Sequence, residues 1–506
     1  MRALIDQLDP YMLTVVVSDW KDFYTSFAEI NWANLWNQYC IDPQRKITVI
    51  QTSEPSAVAS TLSANSLLLD HTLIYKADQI SAELKIVADA TKTDEIERTI
   101  YYLGFTMDEY NMIFNSWRSL QSQPLVYSVP PKAEPSGSVI VCGSGPSLDD
   151  SLDFIKENEN NSLIIACASN YRTLRKAGIE VDVLCLLERG EFLEEQYTQI
   201  AKEYGTGKTL LLASVTTPVE VHELFRSSMV YFRPALTPLS LFAQSMDQVL
   251  IHEGPQTINT GVALARVINA KQIILAGVDL GTVNCDVPRS RDAVGESPRE
   301  FEIEVSGNLR EKAFTNNTLI DGQRVLERMA VDQFQDGVEL INASDGIRIE
   351  GWTSMPPSSI KGGFYPLEAF DKEKFEQWWY RSRRYDMKLF QAMWKASRPR
   401  AMVFDRIKKL RQALDSTRPR YPNLLFEMQD LLSINQGTKY EQLAARIIRG
   451  GMIKALIAAQ RQMIVMADQP DIALEFEERA RNLLKSSLND YYDEIIMLFD
   501  KLESLE

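Results

Sequence analysis

Histidine and cysteine are scarce in this chain, and each shortage narrows the functions open to it. Only three histidines occur in 506 residues, His71, His222 and His252, and no two stand four positions apart. A histidine-built metal centre is therefore not expected, and the site is expected to hold no metal. The five cysteines (Cys40, Cys142, Cys167, Cys185, Cys285) are odd in number, scattered and never spaced CxxC. Three sit inside apolar runs, so they read as small buried hydrophobes in a reducing compartment and not as a disulfide framework. Positive charge is short as well: 54 Lys and Arg face 69 Asp and Glu, a net charge of −15. Such a surface repels a polyphosphate backbone, and nucleic acid is not an expected partner. No apolar run reaches the ~20 residues of a spanning helix, and "YMLTVVV" lacks a basic flank and a cleavage site. The expectation is a cytoplasmic protein without membrane insertion.

What is present is an ordinary globular composition, 45% hydrophobic and 24% charged, in a chain too long for one core. Two proline-rich passages, "SQPLVYSVPPKAEPSGS" at Ser122–Ser138 and "GWTSMPPSSIKGGFYP" at Gly351–Pro366, read as linkers or domain-crossing loops. They suggest a smaller N-terminal α/β domain over 1–125, a central domain over 136–352 and an all-α C-terminal bundle over 367–506, with Gly450-Gly451 as a kink. In the centre, apolar runs at 138–142, 162–168, 181–187, 209–215, 229–232, 248–251, 272–278 and 338–342 alternate with helical stretches. Continuous apolar strands separated by helices predict an α/β fold: a Rossmann-like parallel sheet with helices on both faces.

The passage "VCGSGPSLDDSLDFIK" carries the clearest chemistry. Gly143 and Gly145 can adopt positive φ and let a ligand approach the backbone, Ser144 and Ser147 offer hydroxyls, and the helix that follows aims free N–H groups at the turn. That pattern suits phosphate or carboxylate. It departs from a dinucleotide fingerprint, because Leu148 replaces the third glycine and no acid follows at Ala166–Asn170. "GKT" at Gly207–Thr209 lacks the earlier glycine of a phosphate loop and reads as a turn. Ligands of open α/β sheets collect beyond the strand carboxyl ends. Asn170, Glu188, Thr257, Asn259, Thr260 and Asp279 stand at such ends. Thr260 is equally readable as a helix cap, and for Asn170 a loop cap is the lesser alternative. Gly281–Thr318 is a long polar passage, read as a mobile cover whose Arg289, Arg291 and Arg299 could clamp an anion. "QWWYRSRRYDMKLFQAMW" has the composition of a protein interface, with the bundle core as the alternative for Trp378 or Trp379.

Four passages, "VCGSGPSLDDSLDFIK", "LIIACASNYRTLRKAGIEVDVLCLLE", "PQTINTGVALARVINAKQIILAGVDLG" and "INASDGIRIEGW", together resemble the motility-associated factor (Maf) family of bacterial flagellin glycosyltransferases. The central domain of that family is similar to bacterial sialyltransferases. The resemblance implies transfer of a nonulosonic acid, of pseudaminic or legionaminic type, from its CMP-activated form to Ser or Thr of flagellin, with no tightly bound cofactor. It places Gly143, Ser144, Gly145 and Ser147 at the nucleotide phosphate and Asn170 at the nucleotide. Thr257, Asn259 and Thr260 fall at phosphate and sugar carboxylate, with Asp279 near the donor. The sialyltransferases use a histidine downstream of that strand as base, but Leu280–Trp352 contains none. Asp279, Asp286, Asp292, Glu296 and His252 are then the candidates, with Asp279 preferred and the CMP phosphate itself an alternative proton acceptor. Two further readings stay open: an ATP- and Mg²⁺-dependent hydroxymethylpterin-type pyrophosphokinase, related through the glycine turn, and a non-catalytic flagellin-binding motility factor.

Overall fold

In the computed structural model, the residues described are 12–17, 19–28, 30–41, 46–51, 106–128, 136–234, 236–295, 300–334, 337–360, 365–415, 428, 431–432, 441, 444–448, 452 and 470–504. Glu296, Arg299, His71, Gly450-Gly451 and residues 129–135 of the first proline-rich passage lie outside them. The chain divides into two compact units, Asn111–Ala396 on the one hand and Met1–Tyr110 with Ser397–Glu506 on the other.

In the unit formed by the two ends of the chain, β1 (Met12–Val17) and β2 (Lys46–Gln51) pair in parallel. Helices α1 (Trp20–Thr25) and α2 (Trp32–Ile41) lie between them in sequence. A small core gathers Trp32, Leu35, Tyr39 and Ile47. Far along the chain, the helices Pro399–Asp415 and Pro470–Glu503 pack against each other. The first buries Val403, Ile407, Leu410 and Leu414, an alternation of four and three that keeps one stripe facing inward. Arg400 pairs with Asp500 at 2.8 Å and Glu503 at 2.6 Å, and Arg411 lies 4.5 Å from the Tyr492 ring centroid. The described C-terminal region is helical, as its apolar spacing predicts.

The other unit is built on a nine-stranded sheet with a separate two-stranded hairpin. Helix α3 (Thr106–Gln121) leads to β3 (Leu125–Val126) and β4 (Ser136–Cys142). Then come α4 (Leu148–Asn158), β5 (Leu163–Cys167), α5 (Tyr171–Lys176), β6 (Val183–Leu186), α6 (Phe192–Tyr204), β7 (Leu210–Ser214), α7 (Val219–Glu223), β8 (Ser227–Tyr231) and α8 (Thr237–Phe242). The second half runs α9 (Thr257–Val267), β9 (Ala270–Ala276), a hairpin of β10 (Ile303–Ser306) and β11 (Lys312–Thr315), α10 (Asn317–Phe334), β12 (Glu339–Asn342) and β13 (Thr353–Ser354). Helices α11 (Pro357–Ile360), α12 (Lys372–Arg381) and α13 (Met387–Ser397) close it. The sheet order is β13-β12-β9-β4-β5-β6-β7-β8-β3, with every pairing parallel.

Alternate residues of each strand feed opposite faces. Val139, Val141, Ile165 and Ile273 join Val262 and Leu264 of α9, Leu326 of α10 and Trp379 of α12 in one buried cluster. Ile140, Cys142, Ile164 and Ile274 join Phe154 of α4, Leu174 of α5 and Ile200 of α6 in the other. Each fully buried aliphatic contributes about 1.5–3 kcal/mol, which explains why these strands are nearly all apolar. The Rossmann-like fold predicted from the strand runs is the fold observed.

Three readings change. The run 248–251 makes only a single bridge, Val249 to Phe232, after a 3-10 turn at Met246–Gln248. In "QWWYRSRRYDMKLFQAMW", Trp379 is fully buried and donates to Ser227 Oγ at 3.0 Å, and Trp394 packs 5.0 Å from Trp117. Trp379 thus takes the core alternative already open for it, and Trp394 is core as well. Cys285, unlike Cys142, Cys167 and Cys185, is exposed. "GKT" is a turn, with Gly207 at φ +55°. Among the described residues, no helix is long and apolar enough to cross a membrane.

Candidate active site

The chain leaves β4, moves outward through β5 to β8, then returns to place β9 on the other side of β4. The connections that leave the carboxyl ends of β4 and β9 therefore lead away in different directions and open a crevice, the place where open α/β sheets bind ligands. A cavity of about 960 Å³ opens there.

The glycine turn after β4 faces this crevice, for a reason other than backbone dihedrals. Neither Gly143 nor Gly145 is among the glycines with positive φ; that conformation falls on Gly277, at φ +66°. What the turn requires is close approach. A Cβ on Gly143 would stand 2.4 Å from Gly277 O, and one on Gly145 would stand 2.1 Å from Asp279 Oδ2. Gly143 N–H donates to Ala276 O and Gly145 N–H to Gly277 O, each at 2.8 Å. The ends of β4 and β9 are thus laced together with no room for a side chain.

Asp279 is the anion at the start of α4. Its Oδ2 accepts from Ser147 N–H at 2.9 Å and its Oδ1 from Ser147 Oγ. The carboxyl is almost completely buried, and burial raises its pKa to about 6 against the lowering by the two Ser147 bonds; Asp345 and Asp150 push it further up. Its own carbonyl accepts from Ile347 N–H at 2.9 Å, tying in the turn after β12.

Of the residues singled out from sequence, Gly143, Ser144, Gly145, Glu188, Thr257 and Asp279 line the cavity. Ser147, Asn170, Asn259 and Thr260 are committed elsewhere. Asn170 Nδ2 donates to Cys142 O and to Gly143 O (2.9 Å), and its Oδ1 accepts from Cys167 N–H at 3.0 Å. It holds the ends of β4 and β5 together with both halves of its amide. Asn259 accepts from Gln256 N–H and donates to Gly322 O, both at 3.0 Å, and Thr260 Oγ1 donates to Glu253 O at 2.6 Å. All three are buried. Among the other candidate bases, Asp292 pairs with Lys176 at 2.6 Å, Asp286 is exposed, and neither lines the cavity; nor does His252.

The polar passage after β9 is structured against this site wherever it is described. Its hairpin bridges back through Thr282 to Phe314. Ser290 N–H donates to Ser144 O and Val294 N–H to Ser169 O, each at 3.1 Å. Arg289 lines the cavity with Nη2 3.5 Å from Ser144 Oγ, whereas Arg291 turns outward to Asp149 at 3.2 Å.

The opposite wall, not anticipated from the sequence, comes from α6: Phe192, Gln196 and Tyr197 line the cavity. Strand-end reasoning reaches Glu188 but not the helix just beyond it, where Phe192 and Gln196 stand four positions apart on one face, a signal the sequence does contain. Tyr197 is buried, its hydroxyl has no hydrogen bond of normal geometry, and burial raises its pKa despite the neighbouring Gln196 side chain.

Residues 111–284 match the family model described as "6-hydroxymethylpterin diphosphokinase MptE-like". A comparison with curated proteins finds no match. The whole chain aligns with 80% of the Maf glycosyltransferase from Magnetospirillum magneticum AMB-1, at 23% identity and a TM-score of 0.74; the two share a fold. The sialyltransferase CstII from Campylobacter jejuni, solved with a substrate analogue, cytidine-5'-monophosphate, aligns over 47% of this chain and 92% of its own at 13% identity, with a TM-score of 0.28.

Proposed function

We propose that this chain is a Maf-type glycosyltransferase that moves a nonulosonic acid from its CMP-activated donor to Ser or Thr hydroxyls of flagellin in the cytoplasm. The observation that supports it most is the shared fold along the entire chain with a Maf glycosyltransferase. A switch-point cavity meets three of the four passages that resemble that family, through Gly143–Gly145, Glu188, Thr257 and Asp279. In the proposed reaction the acceptor oxygen bonds to the anomeric carbon of the sugar, the bond from that carbon to the phosphate oxygen breaks, and CMP leaves with the electron pair. The acceptor proton passes to Asp279 or to the departing phosphate. A carboxyl near pKa 6 is largely ionised at neutral pH yet basic enough to take a proton late in the step. The donor enters as a substrate, and the scheme requires no resident cofactor or metal.

The family model over residues 111–284 favours a second reading, diphosphoryl transfer from ATP. The described charged residues that line the cavity are Glu188, Asp279 and Arg289, one cation against two acids. That lining does not separate Mg²⁺–ATP from a CMP-nonulosonate, whose phosphodiester and sugar carboxylate bring a similar net charge. Calorimetric titration separates the readings. CMP binding without a response to Mg²⁺–ATP supports the transferase; the reverse supports the diphosphokinase; silence to both favours a flagellin-binding factor.

A further inference from the structure

We infer that Arg289, together with Ser144, receives the phosphate of the donor, and that the start of α4 does not; the inference rests on the CMP-donor reading. The sequence pattern points to α4 as the anion site, but that place is already filled. Ser147 gives both its N–H and its hydroxyl to Asp279, and Gly145 N–H is spent on Gly277 O. A phosphate brought there would displace or face a buried carboxylate. One step earlier in the turn, Ser144 lines the cavity and lies beside the guanidinium of Arg289.

Arg289 is held in that place by the residues after it. Ser290 is buried, bonds to Ser144 O through its N–H at 3.1 Å, and shares a hydroxyl contact of 3.2 Å with Thr173. Val294 N–H anchors the far side on Ser169 O at 3.1 Å. The backbone that follows Arg289 is therefore tied to the glycine turn and to Ser169, and the guanidinium is the only positive group among the described lining residues. Partial burial removes water from it, which lowers its pKa without discharging it. The fork of an arginine fits two oxygens of a phosphate. Glu188 and Asp279 contribute negative charge to the same cavity, which leaves Arg289 as the described lining cation for an anion to meet.

The test is calorimetric titration of CMP and cytidine into the full-length protein and into Arg289→Gln, Arg289→Lys and Arg291→Gln. Arg289→Gln should weaken CMP by about 10- to 100-fold, the size of a lost hydrogen bond to a charged group, and leave cytidine unchanged. Arg289→Lys should recover part of the loss, and Arg291→Gln, whose side chain turns outward to Asp149, should bind CMP as wild type does. An equal loss for CMP and cytidine, or no loss of CMP, overturns the inference. If wild type binds neither, the donor reading fails by itself, and pyrophosphate decides the anion site. A thermal upshift in wild type that Arg289→Gln lacks upholds the Arg289 corner, and the same response in both, or in neither, overturns it.

Discussion

Asp279→Asn removes a buried charge while keeping a side chain that can bond to Ser147: the amide oxygen accepts from the Ser147 N–H, and the amide nitrogen donates to the serine hydroxyl, which can rotate to accept. The structure predicts opposite effects on stability and on transfer. The carboxyl titrates near 6 in the fold against an ordinary value of 3.8. Its folded pKa is raised, so its contribution to stability is complete below pH ~4 and is lost as pH rises through about 6. A shift of roughly two units corresponds to about 3 kcal/mol at pH 8, a cost the asparagine does not carry. Because a chain of two compact units does not unfold in one step, hydrogen exchange of peptides from β4 and β9 is the suitable readout, taken as the ratio of variant to wild type at each pH. The variant should match wild type at pH 4 and be better protected at pH 8. If Asp279 accepts the proton of the acceptor hydroxyl, transfer should fall by about 10²- to 10⁴-fold in the same variant. Lower protection at pH 8, or a gain that does not change with pH, would refute the reasoning about the buried charge.

His222 should act on stability in the opposite direction. Burial lowers its pKa from 6.5 to about 4, so stability present above pH 6.5 is lost as pH falls toward 4, by about 3 kcal/mol; His222→Gln should flatten the acid limb of an unfolding profile, and an unchanged limb counts against this assignment. Tyr197→Phe removes a buried hydroxyl without a normal partner and should raise ligand-free stability by about 1 kcal/mol; a loss of stability would show that the hydroxyl is bonded in the free protein. Lys372 Nζ bonds both oxygens of Asp182, at 2.8 and 2.6 Å, and Glu159 O at 2.6 Å, fastening α12 to the sheet. Lys372→Met should cost about 2 kcal/mol by leaving the part-buried Asp182 without its cation, read by hydrogen exchange of peptides from β6 and α12.

The sheet was legible in the sequence because its signal is one-dimensional. Strands covered on both faces must be apolar at every position, as "SVIVC", "LIIAC" and "VLCL" are, and the helices between them leave no topology but parallel. The run at 248–251 has the same composition, yet its neighbours offer it only Phe232, a fact no local pattern encodes. The site divides along the same line. Strand-end reasoning selects residues near the crevice, but whether a polar side chain faces ligand or protein depends on partners far away in sequence. Asn170 spends its amide on Cys142 and Gly143, and Ser147 on Asp279, 132 positions away. The glycine turn has the composition of an anion site because it does approach a negative group closely, and in the ligand-free fold that group is the carboxylate of Asp279.

The measurement that tests the central claim most directly is the intact mass of purified flagellin after incubation with this protein and CMP-pseudaminic or CMP-legionaminic acid. The account predicts a gain in steps of one nonulosonic acid residue, with release of CMP and dependence on Asp279. Unmodified flagellin with both donors, accompanied by AMP release when Mg²⁺–ATP and a hydroxymethylpterin are supplied instead, would contradict it.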